Sequence, residues 1–266
     1  MIKESVILPS LGYPYKGRLE GTSISVSPIT TRVYKDFIMS NSEEGLLNLV
    51  NSCLVDSPLR AEDFCYADLL AIYIKIRTIS LGSIIPTVST CPACGNKQTT
   101  DWELNKIECN YLGLDSYPIQ ITLPESKEII YLEIPTIRSG KIAKEEAQKR
   151  AANYNKKVSD FLDTFSMLIC IRSDKGMDLI SRSEWYDNLP LKDAMFIDQA
   201  FSLIQDFGLI TRQRVICKDC NHPYNVPLQV NREFFRPSIG NISGFKTTKG
   251  TFEEGPTGTA KNEPNS

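Results

Sequence analysis

Four cysteines of this chain fall into two widely separated pairs, and each pair has the spacing of a metal-binding knuckle. Cys91 and Cys94 form the first pair, and Cys217 and Cys220 form the second. Two thiolates separated by two residues can point at one ion from a tight turn. Four thiolates complete a closed tetrahedral zinc site with no open position for chemistry. We therefore predict Zn²⁺ as a structural cofactor and these four cysteines as its metal ligands.

The residue that follows each pair is of a type that favours a tight turn. Gly95 and Asn221 come directly after the second cysteine of the two knuckles, and both residue types tolerate a positive φ. If both knuckles hold one ion, residues 95–216 form a loop closed at its base, and the two halves of the chain fold as one unit. We then expect that replacing Cys91 or Cys217 with serine destabilises this whole unit.

The other cysteines and the single histidine allow further interpretations. Eight cysteines could form disulfides, but a chain of this length without a secretion signal favours metal binding. Cys53, Cys65, Cys109 and Cys170 lie in apolar segments, and we expect them to be buried as small hydrophobic residues. His222 could replace a thiolate as ligand. Because four cysteines suffice, we expect it instead to form a hydrogen bond beside the second knuckle.

Catalytic machinery is hard to assemble from this sequence. A serine or cysteine nucleophile normally requires a histidine base, and the only histidine lies beside the predicted metal site. There is no phosphate-binding glycine loop, no HExxH motif and no DxD-type calcium loop. A redox enzyme using CxxC would show reversible thiol chemistry and loosely held metal, but Pro92-Ala93 leads into a turn and not a helix. We predict no enzyme activity, no catalytic residues and no small-molecule substrate.

Composition and charge are those of an ordinary globular protein. Of 266 residues, 41% are hydrophobic and 23% are charged, and the formal net charge is −2. A generic nucleic-acid-binding protein usually carries a basic excess, although a local basic patch is compatible with this balance. No segment approaches the roughly 20 apolar residues of a membrane span, and the start lacks a signal-peptide pattern. We expect a soluble intracellular protein with no membrane partner.

The elements that position the knuckles are predicted from hydrophobic periodicity. Strands are predicted on both sides of each knuckle, over 84–90, 98–102, 212–216 and 224–230. A long helix over 60–80 is apolar on most of its surface and ends at Gly82. Further helices are predicted over 30–40, 42–54, 139–153, 158–171 and 191–206, and further strands over 22–27 and in a hairpin over 119–134.

These elements predict an α+β fold, with a helical core, short antiparallel strands and a four-cysteine zinc ribbon closed by two distant CxxC knuckles. We predict one zinc-clipped domain over residues 1–238, with a helical insertion at about 138–210. Lys141, Lys144, Glu145, Lys149 and Arg150 are expected to form a solvated or partner-docking face. The glycine-rich segment 239–266 is expected to be a flexible tail, either passive or ordered by a partner.

Four local patterns follow one another between residues 8 and 237. They are Leu8-Pro9-Ser10 with Tyr15-Lys16-Gly17, the helix 68–82 leading to Cys91-Pro92-x-Cys94-Gly95, the hairpin at 119–134, and Cys217-x-x-Cys220 before Arg232-Glu233-Phe234-Phe235-Arg236-Pro237. In this order they resemble the baseplate hub assembly proteins of T4-like contractile-tailed bacteriophages. The departures are Asn221 in place of the usual glycine, a longer charged segment at 138–157, and the C-terminal tail.

The resemblance implies a late, non-enzymatic viral protein that acts in tail baseplate assembly in the host cytoplasm. It implies other hub or wedge proteins as partners, and either a place in the virion tail baseplate or departure after assembly. The alternative hypothesis is a zinc-ribbon nucleic-acid-binding adaptor. Lys/Arg content near 138–157 and at Arg212 and Arg214 favours it, whereas the acidic pI of about 5.7 opposes it.

Overall fold

The computed structural model describes residues 2–40, 42–172 and 176–236, in which helices and short antiparallel strands alternate along the chain. The helices are α1 (Thr31–Met39), α2 (Ser42–Cys53), α3 (Tyr66–Leu81), α4 (Ile137–Tyr154), α5 (Ser159–Leu168), α6 (Leu179–Asp187) and α7 (Leu191–Leu203). The strands are β1 (Glu4–Ile7), β2 (Ser23–Val26), β3 (Leu54–Val55), β4 (Ile84–Thr90), β5 (Lys97–Glu103), β6 (Cys109–Asn110), β7 (Ile119–Thr122), β8 (Ile129–Leu132), β9 (Ile171–Arg172), β10 (Gly208–Leu209), β11 (Arg212–Ile216) and β12 (Pro223–Pro227). The predicted tail, 239–266, lies outside the described residues.

The described strands pair only in antiparallel fashion and form small sheets. Their orders are β1–β2–β3, β4–β5, β6–β10, β7–β8–β9 and β11–β12. The predicted combination of helices with short antiparallel strands is therefore confirmed. The strand predicted over 84–90 is confirmed along its whole length, since β4 pairs with β5 from Ile84 opposite Glu103 to Thr90 opposite Lys97.

Helix α3 lies at the centre of the first core, a cluster of buried apolar side chains. The cluster joins α1, α2, α3, the β1–β2 hairpin, the end of β5 and the 3-10 helix Arg232–Phe235. Leu69, Ile72, Tyr73 and Ile76 of α3 all belong to it, so the helix is buried on most of its surface, as predicted. Gly82 follows the helix with φ 90°, which confirms the predicted helix end.

The predicted start of this helix at residue 60 is wrong, because α3 begins only at Tyr66. Ala61–Asp63 is a separate 3-10 helix, and the two residues after it are extended. The Phe64 carbonyl accepts a hydrogen bond from the Ile137 N–H at 2.9 Å. The Cys65 N–H donates to the Tyr15 hydroxyl at 2.7 Å. These contacts with distant segments replace the hydrogen bonds of a continued helix.

A buried polar cluster joins the first turn of α3 to the segment between β1 and β2 (residues 8–22), which we call the opening loop. The Asp68 carboxylate accepts hydrogen bonds from the Ser10 N–H at 2.8 Å, the Ser10 hydroxyl at 2.5 Å and the Tyr15 hydroxyl at 2.7 Å. All three residues are fully buried. Burial raises the pKa of the Asp68 carboxyl, and the donors from Ser10 and Tyr15 oppose that shift. The cluster holds the opening loop against α3.

The second core lies between the two knuckles in sequence and packs α4, α5 and α7 against the β7–β8–β9 sheet. Its buried members are Leu123, Ile130, Leu132, Ala143, Ala147, Phe165, Met167, Leu168, Ile171, Ile197 and Ile204. Asp193 in the first turn of α7 accepts hydrogen bonds from the Glu125 and Ser126 N–H groups at 2.7 and 2.9 Å. This contact joins α7 to the β7–β8 turn.

Several predicted bounds in the second half of the chain require correction. The helix predicted over 158–171 ends at Leu168, because Ile171 and Arg172 pair with β8 as strand β9. The helix predicted over 191–206 ends at Leu203. The strand predicted over 224–230 spans 223–227. Helix α6 was not predicted.

The predictions for individual side chains hold with two exceptions. Cys53, Cys65 and Cys170 are buried as predicted, but Cys109 in β6 is only half-buried. On α4, Lys141, Lys144, Glu145 and Lys149 are exposed, whereas Arg150 is half-buried, with its guanidinium 6.0 Å from the centre of the Phe165 ring.

Candidate metal centre

The four predicted ligands lie at the tips of two hairpins, which we call the ribbon (residues 84–103 and 212–227). In the first hairpin, β4 and β5 flank the knuckle. In the second, β11 and β12 do so. Each knuckle occupies the turn between two paired strands, so the pairing of the strands fixes the direction in which the sulfur atoms point.

The turn of the first knuckle has the backbone geometry that its sequence predicts. The Cys91 N–H donates to the Asn96 carbonyl at 2.8 Å, and the Gly95 N–H donates to the Cys91 carbonyl at 2.9 Å. Gly95 has φ 74°, a value that glycine adopts without strain.

The second knuckle repeats this geometry. The Cys217 N–H donates to the His222 carbonyl, and the Asn221 N–H donates to the Cys217 carbonyl, both at 3.0 Å. Asn221 has φ 58°, which asparagine tolerates better than most residues. His222 thus contributes a backbone hydrogen bond beside the knuckle, and its exposed side chain is not part of the group of potential ligands.

The two knuckles bring their four sulfur atoms within 4.8 Å of one another. The Sγ atoms of Cys91 and Cys220 are 3.7 Å apart, and those of Cys94 and Cys217 are 3.6 Å apart. Tetrahedral zinc with Zn–S bonds of about 2.3 Å places its sulfur atoms about 3.8 Å apart. All eight cysteines are free thiols. The geometry therefore fits a metal ion of the size of zinc.

Hydrogen bonds from the backbone and between the thiols shift the pKa values of these cysteines in different directions. The backbone N–H groups of Cys220 and Asp219 lower the pKa of Cys217 to about 6. At Cys94, the Asn96 N–H lowers the pKa, but the neighbouring thiols outweigh it and raise the pKa to about 12. A cation among the four sulfur atoms would favour the thiolate form of each.

Polar side chains join the two hairpins behind the cysteines. The buried Gln98 side chain donates to the Ile216 carbonyl at 3.1 Å and accepts from the Lys218 N–H at 3.0 Å. The hydroxyls of Ser89 and Tyr224 lie 2.8 Å apart. Because both contacts cross from one hairpin to the other, the hairpins face each other over their whole width.

The interior of the ribbon contains little buried apolar surface. Trp102, Val215 and Val226 are its buried apolar residues outside the cysteines. The other side chains that face the opposite hairpin are mostly polar and only partly buried, including Thr87, Ser89, Thr100, Gln213 and Tyr224. The buried indole N–H of Trp102 and the side-chain oxygen of Gln213 have no partner within the described part of the chain. Apolar burial therefore contributes little to holding the tips together.

Three prolines occupy the outer edges of the ribbon. Hydrogen bonds to the partner strand alternate along β4, with the Leu104 N–H donating to the Ser83 carbonyl at the base, so the backbone of Pro86 points away from β5. The equivalent alternation in the second hairpin directs the backbones of Pro223 and Pro227 away from β11. Proline has no N–H, and an outer edge is where a strand tolerates it.

A buried arginine joins the bases of the two hairpins. The Arg77 side chain is 1% exposed, and it donates to the Phe234 carbonyl at 2.9 Å and to the Gly82 carbonyl at 2.6 Å. Gly82 leads into the first hairpin, and Phe234 follows the second. Burial lowers the pKa of this guanidinium. Sequence analysis did not single out this residue, although an arginine within the apolar stretch of α3 was the available signal.

Comparison with known proteins gives a family match that covers most of the chain. The family model described as T4 bacteriophage base plate protein matches residues 10–236, which include both knuckles, the second core and all of the first core except Val6 and Leu8. No curated protein and no solved structure matches the chain. Within the described residues, no helix has both the length and the apolar character that crossing a membrane requires.

Proposed function

The chain belongs to the T4 bacteriophage base plate protein family, and we propose that it is a non-enzymatic protein of the baseplate hub that acts in virion assembly. It works through contacts with other hub or wedge proteins, in the host cytoplasm and in the tail baseplate. The family match over residues 10–236 is the observation that carries this proposal. We further propose that residues 1–238 form a single zinc-clipped domain with a helical insertion at about 138–210.

The proposed cofactor is one structural Zn²⁺, held by Cys91, Cys94, Cys217 and Cys220. The spacing of the sulfur atoms and the matching backbone turns support it. Four thiolate ligands leave no open coordination position, so such an ion stabilises the fold and activates no water. The purified full chain should contain one zinc per molecule by elemental mass spectrometry. Cys91→Ser and Cys217→Ser should lose it, and Cys109→Ser, which changes a cysteine outside the cluster, should keep it.

The absence of enzyme activity is supported by where the reactive side chains lie. The cluster of Ser10, Tyr15 and Asp68 has the residue types of a catalytic site, but all three are fully buried and closed to a substrate. Its hydrogen bonds join the opening loop to α3, which is a structural role. The exposed His222 lies beside Cys217 and Cys220, and these thiols are the proposed metal ligands at a site with no open coordination position.

The first test of the baseplate role is quantitative mass spectrometry of this chain in purified particles, baseplate intermediates and infected-cell lysate. Stoichiometric copies in particles would support a structural component. Copies in intermediates but not in particles would support an assembly factor that departs. Absence from both particles and intermediates, with the chain abundant in lysate, would contradict the proposal.

A zinc-ribbon nucleic-acid adaptor is the second candidate, because Arg212 and Arg214 are exposed on the ribbon. Neither forms an ion pair with any described residue. Contacts between arginines and phosphates make binding fall steeply with salt. Binding of duplex DNA that weakens strongly between low and physiological salt, and is lost in Arg212→Glu, would favour the adaptor over the baseplate role.

A further inference from the structure

Each of the two hairpins of the ribbon has an outer face, formed by the side chains that point away from the other hairpin. Alternate side chains of each strand face the other hairpin, where the cysteines and Gln98 lie. The remaining side chains therefore point away from the ribbon interior, and all of them are exposed. On the first hairpin they are Ile84, Pro86, Val88, Thr90, Lys97, Thr99, Asp101 and Glu103. On the second they are Arg212, Arg214, Ile216, Pro223, Asn225 and Pro227.

The outer face of the first hairpin combines an apolar row with an acidic row. Ile84 and Val88 on β4 are 55% and 68% exposed. Asp101 and Glu103 lie beside them on β5, two residues apart. Asp101 forms no ion pair among the described residues, and Glu103 pairs only with the exposed Lys106 at 2.7 Å.

The outer face of the second hairpin has the complementary pattern. Ile216 is 62% exposed, and Pro223 lies opposite it on β12. Arg212 and Arg214 lie on β11, again two residues apart. Two residues span about 6.8 Å along a strand, so the acidic and basic pairs have the same spacing. Arg212 borders a cavity that Asp101 and Glu103 of the same chain also border, yet no ion pair joins Arg212 to either carboxylate.

We infer that the two outer faces of the ribbon bind each other between copies of this chain, with the acidic face of one copy on the basic face of the next. Charge complementarity selects a second copy as the occupant, since this chain supplies both patterns at matched spacing. The contact joins different surfaces of two molecules, so it is heterologous and generates a ring or a filament instead of a closed dimer.

The small area of the faces predicts that the two copies bind each other weakly. The strands of the first hairpin have seven residues each, and those of the second have five. The smaller face covers roughly 160 Å², from a rise of about 3.4 Å per residue and a strand spacing of about 4.8 Å. Stable interfaces bury about 800 Å² per partner. Association is therefore expected at high protein concentration and low salt, and a closed ring strengthens it because each copy then makes two contacts. The inference does not depend on the baseplate role.

The experiment is a charge exchange between two double variants of the full chain, measured by sedimentation velocity. Wild-type protein should associate at low salt as its concentration rises to about 1 mM, the range of a weak contact. Arg212→Glu with Arg214→Glu gives two acidic faces and should lose association. Asp101→Lys with Glu103→Lys gives two basic faces and should also lose it. An equimolar mixture of the two variants should associate again.

The controls separate this contact from unfolding and from net charge. All four positions are exposed, so we expect each variant to fold. Zinc content and melting temperature equal to those of wild type would establish this. Lys141→Glu with Lys144→Glu changes the net charge as much as the arginine variant does, at exposed positions on α4, and should associate like wild type. A wild-type protein that stays monomeric would overturn the inference, as would a folded mixture that fails to associate. So would DNA binding that is lost with the arginines while the wild-type protein remains monomeric.

Discussion

The ribbon and the first core hold distant parts of the chain together by different physical means. The first core buries large apolar side chains, such as Ile72, Ile76 and Phe235, each with less than 2% exposure. Burial of one such side chain contributes about 1.5–3 kcal/mol. The ribbon buries few apolar residues and depends on four converging thiols at its tip and on Arg77 at its base. Metal removal should therefore affect the ribbon more strongly than the first core.

Metal removal is the change for which we expect the largest effect. Chelation, or Cys91→Ser, should accelerate amide hydrogen exchange across residues 84–103 and 212–227 by a hundredfold or more, because structural zinc contributes about 10–16 kcal/mol of apparent binding energy in zinc-finger peptides. Exchange in α3 should accelerate by a smaller factor, since its core is apolar but Arg77 joins it to the base of the ribbon. Exchange in α3 that stays at the wild-type rate would contradict the proposal of a single zinc-clipped domain. Cys109→Ser is the control.

Removing one aromatic ring should affect the first core strongly and the whole molecule with it. Phe235 is fully buried, and its ring lies edge-on to Phe37, Tyr73 and Phe234, with centroids 5.0 to 6.0 Å apart. Phe235→Ala should lower the free energy of unfolding by about 3–5 kcal/mol, measured by urea denaturation. Phe196→Ala, at an exposed position of α7, is the matched control. Equal losses in both variants would be incompatible with the first core as described.

Substitution of Arg77 tests whether the structure at the base of the ribbon depends on its contacts with α3 of the first core. Arg77→Met should lower the free energy of unfolding by about 1–3 kcal/mol, because the Phe234 and Gly82 carbonyls lose their donor. Exchange should accelerate at 82–85 and 232–236, while zinc content stays at one per chain. A variant with wild-type exchange at both segments would contradict the role of Arg77. Arg77→Lys, which keeps the charge but not both donors, should show an intermediate effect.

The smallest effect is expected in the second core and should depend on pH. Burial raises the pKa of Asp193, but the Glu125 and Ser126 N–H groups outweigh it and leave the pKa below its usual value of 3.8. A lowered pKa in the folded state stabilises the protein above pH 3.8, and this contribution is lost as the pH falls below that value. Asp193→Asn should therefore be less stable than wild type at pH 7, with a difference that shrinks toward pH 3. A difference independent of pH would rule out this role for the carboxylate.

Local patterns predicted the ribbon more accurately than the elements around it. The CxxC spacing with Gly95 and Asn221 determines a turn between two strands, so the positions of β4 and the knuckles followed from the sequence. The convergence of the knuckles required contacts across more than a hundred residues, such as that of Gln98 with Ile216. The preference of zinc for four ligands predicted that convergence. Hydrophobic periodicity could not predict it, because it reports only on local structure.

The errors lie where tertiary contacts override local preference. The backbone at 64–65 would continue α3 by its apolar pattern, but Ile137 and Tyr15 take its hydrogen-bonding groups. In the sequence, Ile171 continues the apolar pattern of the preceding helix. Only its pairing with β8 identifies it as part of a strand. Arg77 was missed for the same reason, since its acceptors lie five and 157 residues away in sequence.

The outward-facing prolines have a consequence for the protein when its knuckles hold no metal. A hairpin whose tip is not yet held exposes backbone edges, and such edges recruit strands of neighbouring molecules into aggregates. Pro86, Pro223 and Pro227 remove N–H groups from the edges where an incoming strand would bind. The outer edges of β4 and β12 should therefore resist the addition of a strand from a neighbouring molecule even when no metal holds the tips of the hairpins.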